Sequence, residues 1–98
     1  MNEKAFKLSD EFDELLKKCL AKNNLSVSWI QKELGLSFPK AAVLYQEAKN
    51  YNDEVFLHNA LYELSFLDEP VTITRIMNFF DVSYLLAQRI YGFYQENI

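Results

Sequence analysis

Residues 25–46, LSVSWIQKELGLSFPKAAVLYQ, are answered 46 positions later by residues 71–92, VTITRIMNFFDVSYLLAQRIYG. Without a gap, Leu25/Val71, Val27/Ile73, Ile30/Ile76, Leu34/Phe80, Leu36/Val82, Phe38/Tyr84, Ala41/Ala87 and Leu44/Ile90 agree in apolar character. The short polar residues Ser26/Thr72, Ser28/Thr74 and Ser37/Ser83 agree as well. A pattern held in register over this length points to two copies of one small helical unit. Each copy reads as a short helix, a tight turn and a second short helix, which is the outline of a helix-turn-helix.

Working outward from the repeat, each copy acquires a leading helix. Ser9 or Asp10 can cap a helix over about 10–22, with Asp10, Glu11, Asp13 and Glu14 at its positive end and Lys17, Lys18 and Lys22 at its negative end. Phe12, Leu15, Leu16, Cys19 and Leu20 fall on one face at spacings of three and four. Ser26 caps a helix over 27–34 with Val27, Ile30 and Leu34 inward, and Gly35 ends it in the left-handed region. Ser37 caps the next helix, 38–49, where Pro39 is tolerated in the first turn. In the second copy, Val55, Phe56, Ala60, Leu61, Leu64 and Leu67 line a helix over about 54–67. Helices over 73–80 and 84–96 follow under Thr72 and Ser83, with Asp81 standing where Gly35 stood.

The expected fold is therefore all-α: a tandem duplication of a three-helix helix-turn-helix-like unit, six helices in total, with no wing. Residues 1–9 form an N-terminal arm in which Phe6 and Leu8 offer docking side chains. Residues 10–50 form the first unit and 51–98 the second, packed on the first as one domain.

Of the 98 residues, half are hydrophobic and the formal charge is −4, which opposes tight non-specific binding to phosphate backbones. The charge is uneven. Residues 51–70 hold Asp53, Glu54, Glu63, Asp68 and Glu69 with no Lys or Arg, whereas residues 25–50 carry Lys32, Lys40 and Lys49 against Glu33 and Glu47. The single cysteine, Cys19, excludes an internal disulfide and reads as a core thiol. Charges throughout residues 1–20 leave no room for a signal peptide, and no apolar run is long enough for a membrane span. The expected compartment is the cytoplasm.

Residues 10–49 resemble the helical part of the C-terminal gamma domain, a small winged helix, of FtsK/SpoIIIE-type DNA translocases. The likeness is carried by Asp10-Glu11-Phe12-Asp13-Glu14, by Ser28-Trp29-Ile30-Gln31-Lys32, and by Gly35-Leu36-Ser37-Phe38-Pro39-Lys40-Ala41-Ala42-Val43-Leu44. That resemblance implies a trihelical fold and contact with double-stranded DNA through the helix that begins at Phe38. No hairpin signal follows Lys49, so the wing is missing, and no GxxxxGK[ST] loop supports translocase activity.

If Phe38, Ala41, Leu44 and Ala48 face the core, then Pro39, Lys40, Val43, Gln46 and Glu47 face outward. Ser37, Lys40 and Val43 then become candidates for base contact, with Ser28, Gln31 and Lys32 for the phosphate backbone. The matching face of the second copy, Leu85, Leu86, Arg89, Gly92 and Phe93, is too apolar for DNA and reads as an interface, buried against the first half or in a homodimer. Gly92 costs helix stability of about 1 kcal/mol, which points to a close backbone approach. One histidine, His58, and one cysteine cannot assemble a metal site or a catalytic triad, so no catalytic residue, metal or cofactor is expected. Two functions fit: a small sequence-specific DNA-binding regulator, placed first on the resemblance, or a protein-interaction module that retains the scaffold without its DNA surface.

Overall fold

The computed structural model describes the backbone of residues 3–97 and the side chains from Ala5 to Asn97. Met1 and Asn2 of the arm, and Ile98 of the second unit, lie outside the described residues. The chain is all-α, with helices α1 (Glu3–Lys7), α2 (Asp10–Leu20), α3 (Val27–Leu34), α4 (Phe38–Tyr51), α5 (Glu54–Leu64), α6 (Ile73–Phe80) and α7 (Tyr84–Glu96). This corrects the expectation of six helices: among the described residues there are seven, because the stretch read as an arm contains α1. Five residues cannot sustain a helix in isolation. α1 persists because Phe6 is buried, its ring meeting that of Phe12 edge-on at 5.1 Å between centroids. The Ser9 hydroxyl also donates to the Phe6 carbonyl at 2.7 Å.

Local chemistry sets most of the other boundaries. Ser9, Ser26, Thr72 and Ser83 accept from the amides of Phe12, Trp29, Arg75 and Leu86, and Asp53 accepts from Val55 and Phe56. Ser37 departs from the expected capping role, since its side chain makes no cap hydrogen bond. Gly35 and Asp81 end α3 and α6 at φ of 65° and 55°, so the two turns share one left-handed device.

The repeat is visible in packing as a partial one. α3 packs on α4 as α6 packs on α7, and α2 meets α4 as α5 meets α7. The paired positions Ile30/Ile76, Ala41/Ala87 and Leu44/Ile90 are all fully buried. They belong to two separate cores, one around Phe12, Leu16, Ile30 and Leu44, the other around Leu57, Leu64, Ile76 and Ile90. Burying each such side chain stabilises by about 1.5–3 kcal/mol. The two cores lie side by side in a body of 42 × 29 × 17 Å. α4 joins α5 and α7 across the boundary, and α2 also reaches α7.

Two inward assignments are corrected. Phe38 is 62% exposed, because as the first residue of α4 its side chain leans back past the helix start, where no neighbouring turn covers it. Val55 is 70% exposed, and the buried row of α5 is instead Leu57, Ala60 and Leu64. The close approach expected at Gly92 is also absent, since a Cβ there would meet nothing within 4 Å.

Candidate functional site

The residues singled out for DNA contact divide into two sets. Ser28 and Lys32 on α3, and Ser37 just before α4, have exposed side chains, while Gln31 is half-buried. Ser28 shares a 3.3 Å hydrogen bond with the Ser26 hydroxyl. On α4 the situation differs. The Lys40 ammonium sits 5.0 Å from the centroid of the Phe6 ring, a cation–π contact with α1, and Val43 packs against the first core. Glu47, expected to point into solvent, is 4% exposed. Pro39 and Gln46 are the members of that outer face that stay open.

Glu47 is the centre of the junction between the halves. Its Oε1 and Oε2 accept from the Ser83 amide at 3.2 and 3.1 Å, and Oε1 accepts from the Ser83 hydroxyl at 2.6 Å. Lys7 Nζ lies 3.9 Å from Oε2 and donates to the Asp81 carbonyl at 2.6 Å, with the Asp81 carboxylate at 3.8 Å. Asp13 on α2 adds a longer contact, accepting from the Leu85 amide at 3.4 Å. Two carboxylates of the first half thus address the positive end of α7, where orphan amides and the helix dipole favour negative charge. Burial pushes the Glu47 carboxyl up from its ordinary 4.5, opposed by the Ser83 hydroxyl and amide and by Lys7. Asp13 is also raised, chiefly by burial, with the Leu85 amide opposing.

The residues read as an interface are engaged within the chain. Leu86 is fully buried in the second core, and Leu85 packs against the first. Arg89 Nε donates to the Tyr51 carbonyl at 3.0 Å, and its guanidinium lies 5.6 Å from that ring's centroid. The Phe93 ring meets His58 edge-on at 4.9 Å between centroids. Leu85 makes the packing against the first half that was one of the two burial modes expected for this patch, whereas Leu86 and Phe93 pack within the second core.

The sequence reading missed the pairing of Glu47 with Ser83, and Lys7 with it. A signal was present. Glu47 stands six residues after Ala41 and three after Leu44, on the buried side of α4, and its counterpart in the second copy is Phe93. An acid at a position that the repeat fills with an aromatic ring marks a place where the copies do different jobs.

A second open surface lies on the other half. Val55, Tyr62, Phe66 and Phe79 are 70, 68, 67 and 49% exposed. A groove of about 320 Å³ runs past Phe66, Leu67, Asp68, Glu69 and Arg75. It continues into one of about 620 Å³ lined by Leu67, Thr72, Thr74, Arg75, Asn78 and Phe79. Arg75 is ion-paired with Glu69.

Among the described residues no three His, Cys, Asp or Glu side chains gather in a metal-binding group, and no helix is long and apolar enough to cross a membrane. The buried Cys19 thiol is pushed up to about 11 by desolvation, which leaves little thiolate at neutral pH. Set against family models, curated proteins and solved structures, the chain matches none.

Proposed function

We propose that this protein is a non-enzymatic protein-interaction module built on a helix-turn-helix outline. The observation that carries this reading is the covering of α4. A helix that reads the major groove needs its outer face free, and here that face carries a buried Glu47, a Val43 packed on the core and a Lys40 held over Phe6. The charge of −4 adds long-range repulsion from phosphate. An exposed aromatic surface on the second half supplies what a protein partner requires.

The second reading is the DNA-binding regulator. It is favoured by the exposed Ser28 and Lys32 and by the uncommitted Ser37 hydroxyl at the start of α4, positions from which such motifs hold phosphates. Selection from a randomised duplex library at low salt separates the two. The interaction module predicts no enrichment. Enrichment that disappears when Lys32 and Lys40 are both replaced by alanine overturns it in favour of DNA.

A further inference from the structure

We propose that the apolar band of Val55, Tyr62 and Phe66, continued by the groove to Phe79, docks an amphipathic helix with Lys- or Arg-rich flanks from another protein. This deepens the interaction-module reading and rests on it.

The sidedness of α5 is the first ground. Val55 and Tyr62 are seven residues apart and share one face, since seven residues make nearly two turns. Leu57, Ala60 and Leu64 occupy the opposite face and are buried. Phe66, in the turn that closes the helix, meets Tyr62 edge-on at 5.1 Å between centroids. The outer face therefore holds Val55, Tyr62 and Phe66 in water, with the exposed His58 and Asn59 between Val55 and the Tyr62–Phe66 pair. Aromatic pairs of this kind lose little side-chain entropy on binding, which is why Tyr and Phe serve as anchors at interfaces. Beyond Phe66 the groove shares Leu67 and Arg75 along its two parts and ends at Phe79, so stripe and groove are continuous. A helix laid in such a groove presents apolar anchors at i, i+3 or i+4, and i+7.

Charge names the partner. Residues 51–70 hold five carboxylates and no Lys or Arg. Asp53 is committed to capping α5 and Glu69 to Arg75. Glu54, Glu63 and Asp68 form no ion pair with the described residues. At about 100° per residue, Glu54 and Glu63 fall on opposite flanks of the stripe. A cationic partner neutralises both flanks while its apolar face covers the rings. A second copy of this chain pairing stripe to stripe would oppose carboxylate to carboxylate, and an anionic lipid or nucleic acid would be repelled in the same way.

The test uses the full chain, labelled with nitrogen-15, titrated with a designed peptide of about 14 residues. The probe has Leu at helical spacing and Lys elsewhere, with a scrambled Lys/Leu peptide and a Glu/Leu peptide as controls. Shifted amides should cluster between residues 54 and 79, and both controls should bind at least about tenfold more weakly. Tyr62→Ser with Phe66→Ser should weaken the Lys/Leu peptide by about tenfold or more. Glu63→Lys with Asp68→Lys should transfer preference to the Glu/Leu peptide. These four side chains are exposed, and an unchanged spectrum from the two cores confirms that the variants fold. Equal binding of the scrambled peptide, shifts confined to α3 and α4, or unaltered binding by the variants overturns the proposal. So does a homodimer in sedimentation that Tyr62→Ser with Phe66→Ser dissolves. Failure here without duplex enrichment removes this surface and leaves the interaction module standing; duplex enrichment that depends on Lys32 and Lys40 removes that broader reading.

Discussion

The Glu47 carboxylate accepts both the amide and the hydroxyl hydrogens of Ser83, 36 residues further along the chain, at 2.6–3.2 Å. Through this pair the first core holds the start of α7. Ser83 in turn caps α7 by accepting from Leu86, so junction and helix start are one hydrogen-bonded unit.

Glu47→Ala leaves the buried Ser83 donors without their acceptor, and a loss of about 2–4 kcal/mol is expected. Ser83→Ala costs about 1–2 kcal/mol through the lost cap and hydroxyl. Because the two residues act together, the double variant should lose less than the sum of the single losses. Urea unfolding of all four members of the cycle measures the coupling, and strict additivity contradicts a junction held by Glu47 and Ser83 together.

The pH dependence has a definite sign. Burial raises the Glu47 and Asp13 carboxyls above their ordinary 4.5 and 3.8. The folded state therefore holds protons that the unfolded chain has released, and its stability falls as pH rises through that window. The contribution is fully present below the ordinary values and is lost once pH passes the raised ones. Glu47→Gln cannot titrate, so its unfolding free energy should decline less than the wild type's between about pH 4 and pH 7. Parallel curves would show that Glu47 does not carry the effect.

Phe6→Ala should destabilise the protein by about 3 kcal/mol, a typical loss for a buried Phe. Removing the ring also takes away the platform beneath Lys40 and the edge contact with Phe12. Hydrogen exchange should show the α1 amides losing protection before those of α3. Retained protection throughout α1 would mean that Phe6 is not its anchor.

The two glycines should respond oppositely to alanine. Gly35 has φ of +65°, so Gly35→Ala is strained even though nothing crowds the site, and a cost of about 1–2 kcal/mol is expected. Gly92 lies within α7 with open space at its Cβ position, so Gly92→Ala should stabilise by about 0.5–1 kcal/mol. Thermal unfolding of both variants checks the signs, and a destabilised Gly92→Ala would restore the idea of a close approach there.

Helix starts and stops were legible in the residues because they are local matters. A serine or threonine hydroxyl reaches an amide three residues on, and Gly35 and Asp81 turn the chain through the left-handed region, whatever the rest of the molecule does. A partial repeat was legible too, since Ile30/Ile76 and Leu44/Ile90 are buried in both halves by the same helical spacing.

Tertiary structure decided what lies between the copies. A five-residue stretch with one Phe carries no helical signal of its own, and α1 exists because the first core receives Phe6. Glu47 reads as a solvated acid from its type; its spacing from Leu44 marks the buried side of α4, but the partners that satisfy it there, Ser83 and Lys7, lie outside the helix and come only from the tertiary fold. Val55 and Phe38 read as core from their type and stand in water, because neither is covered by a neighbouring element. Residue type and spacing determine which helices form and which stripe each one buries. Which face of α4 remains open was set by α1 docking on it within the first half and α7 reaching it across the boundary, and which face of α5 stays uncovered was set by its packing on α7 and α4, through contacts between residues far apart in the chain.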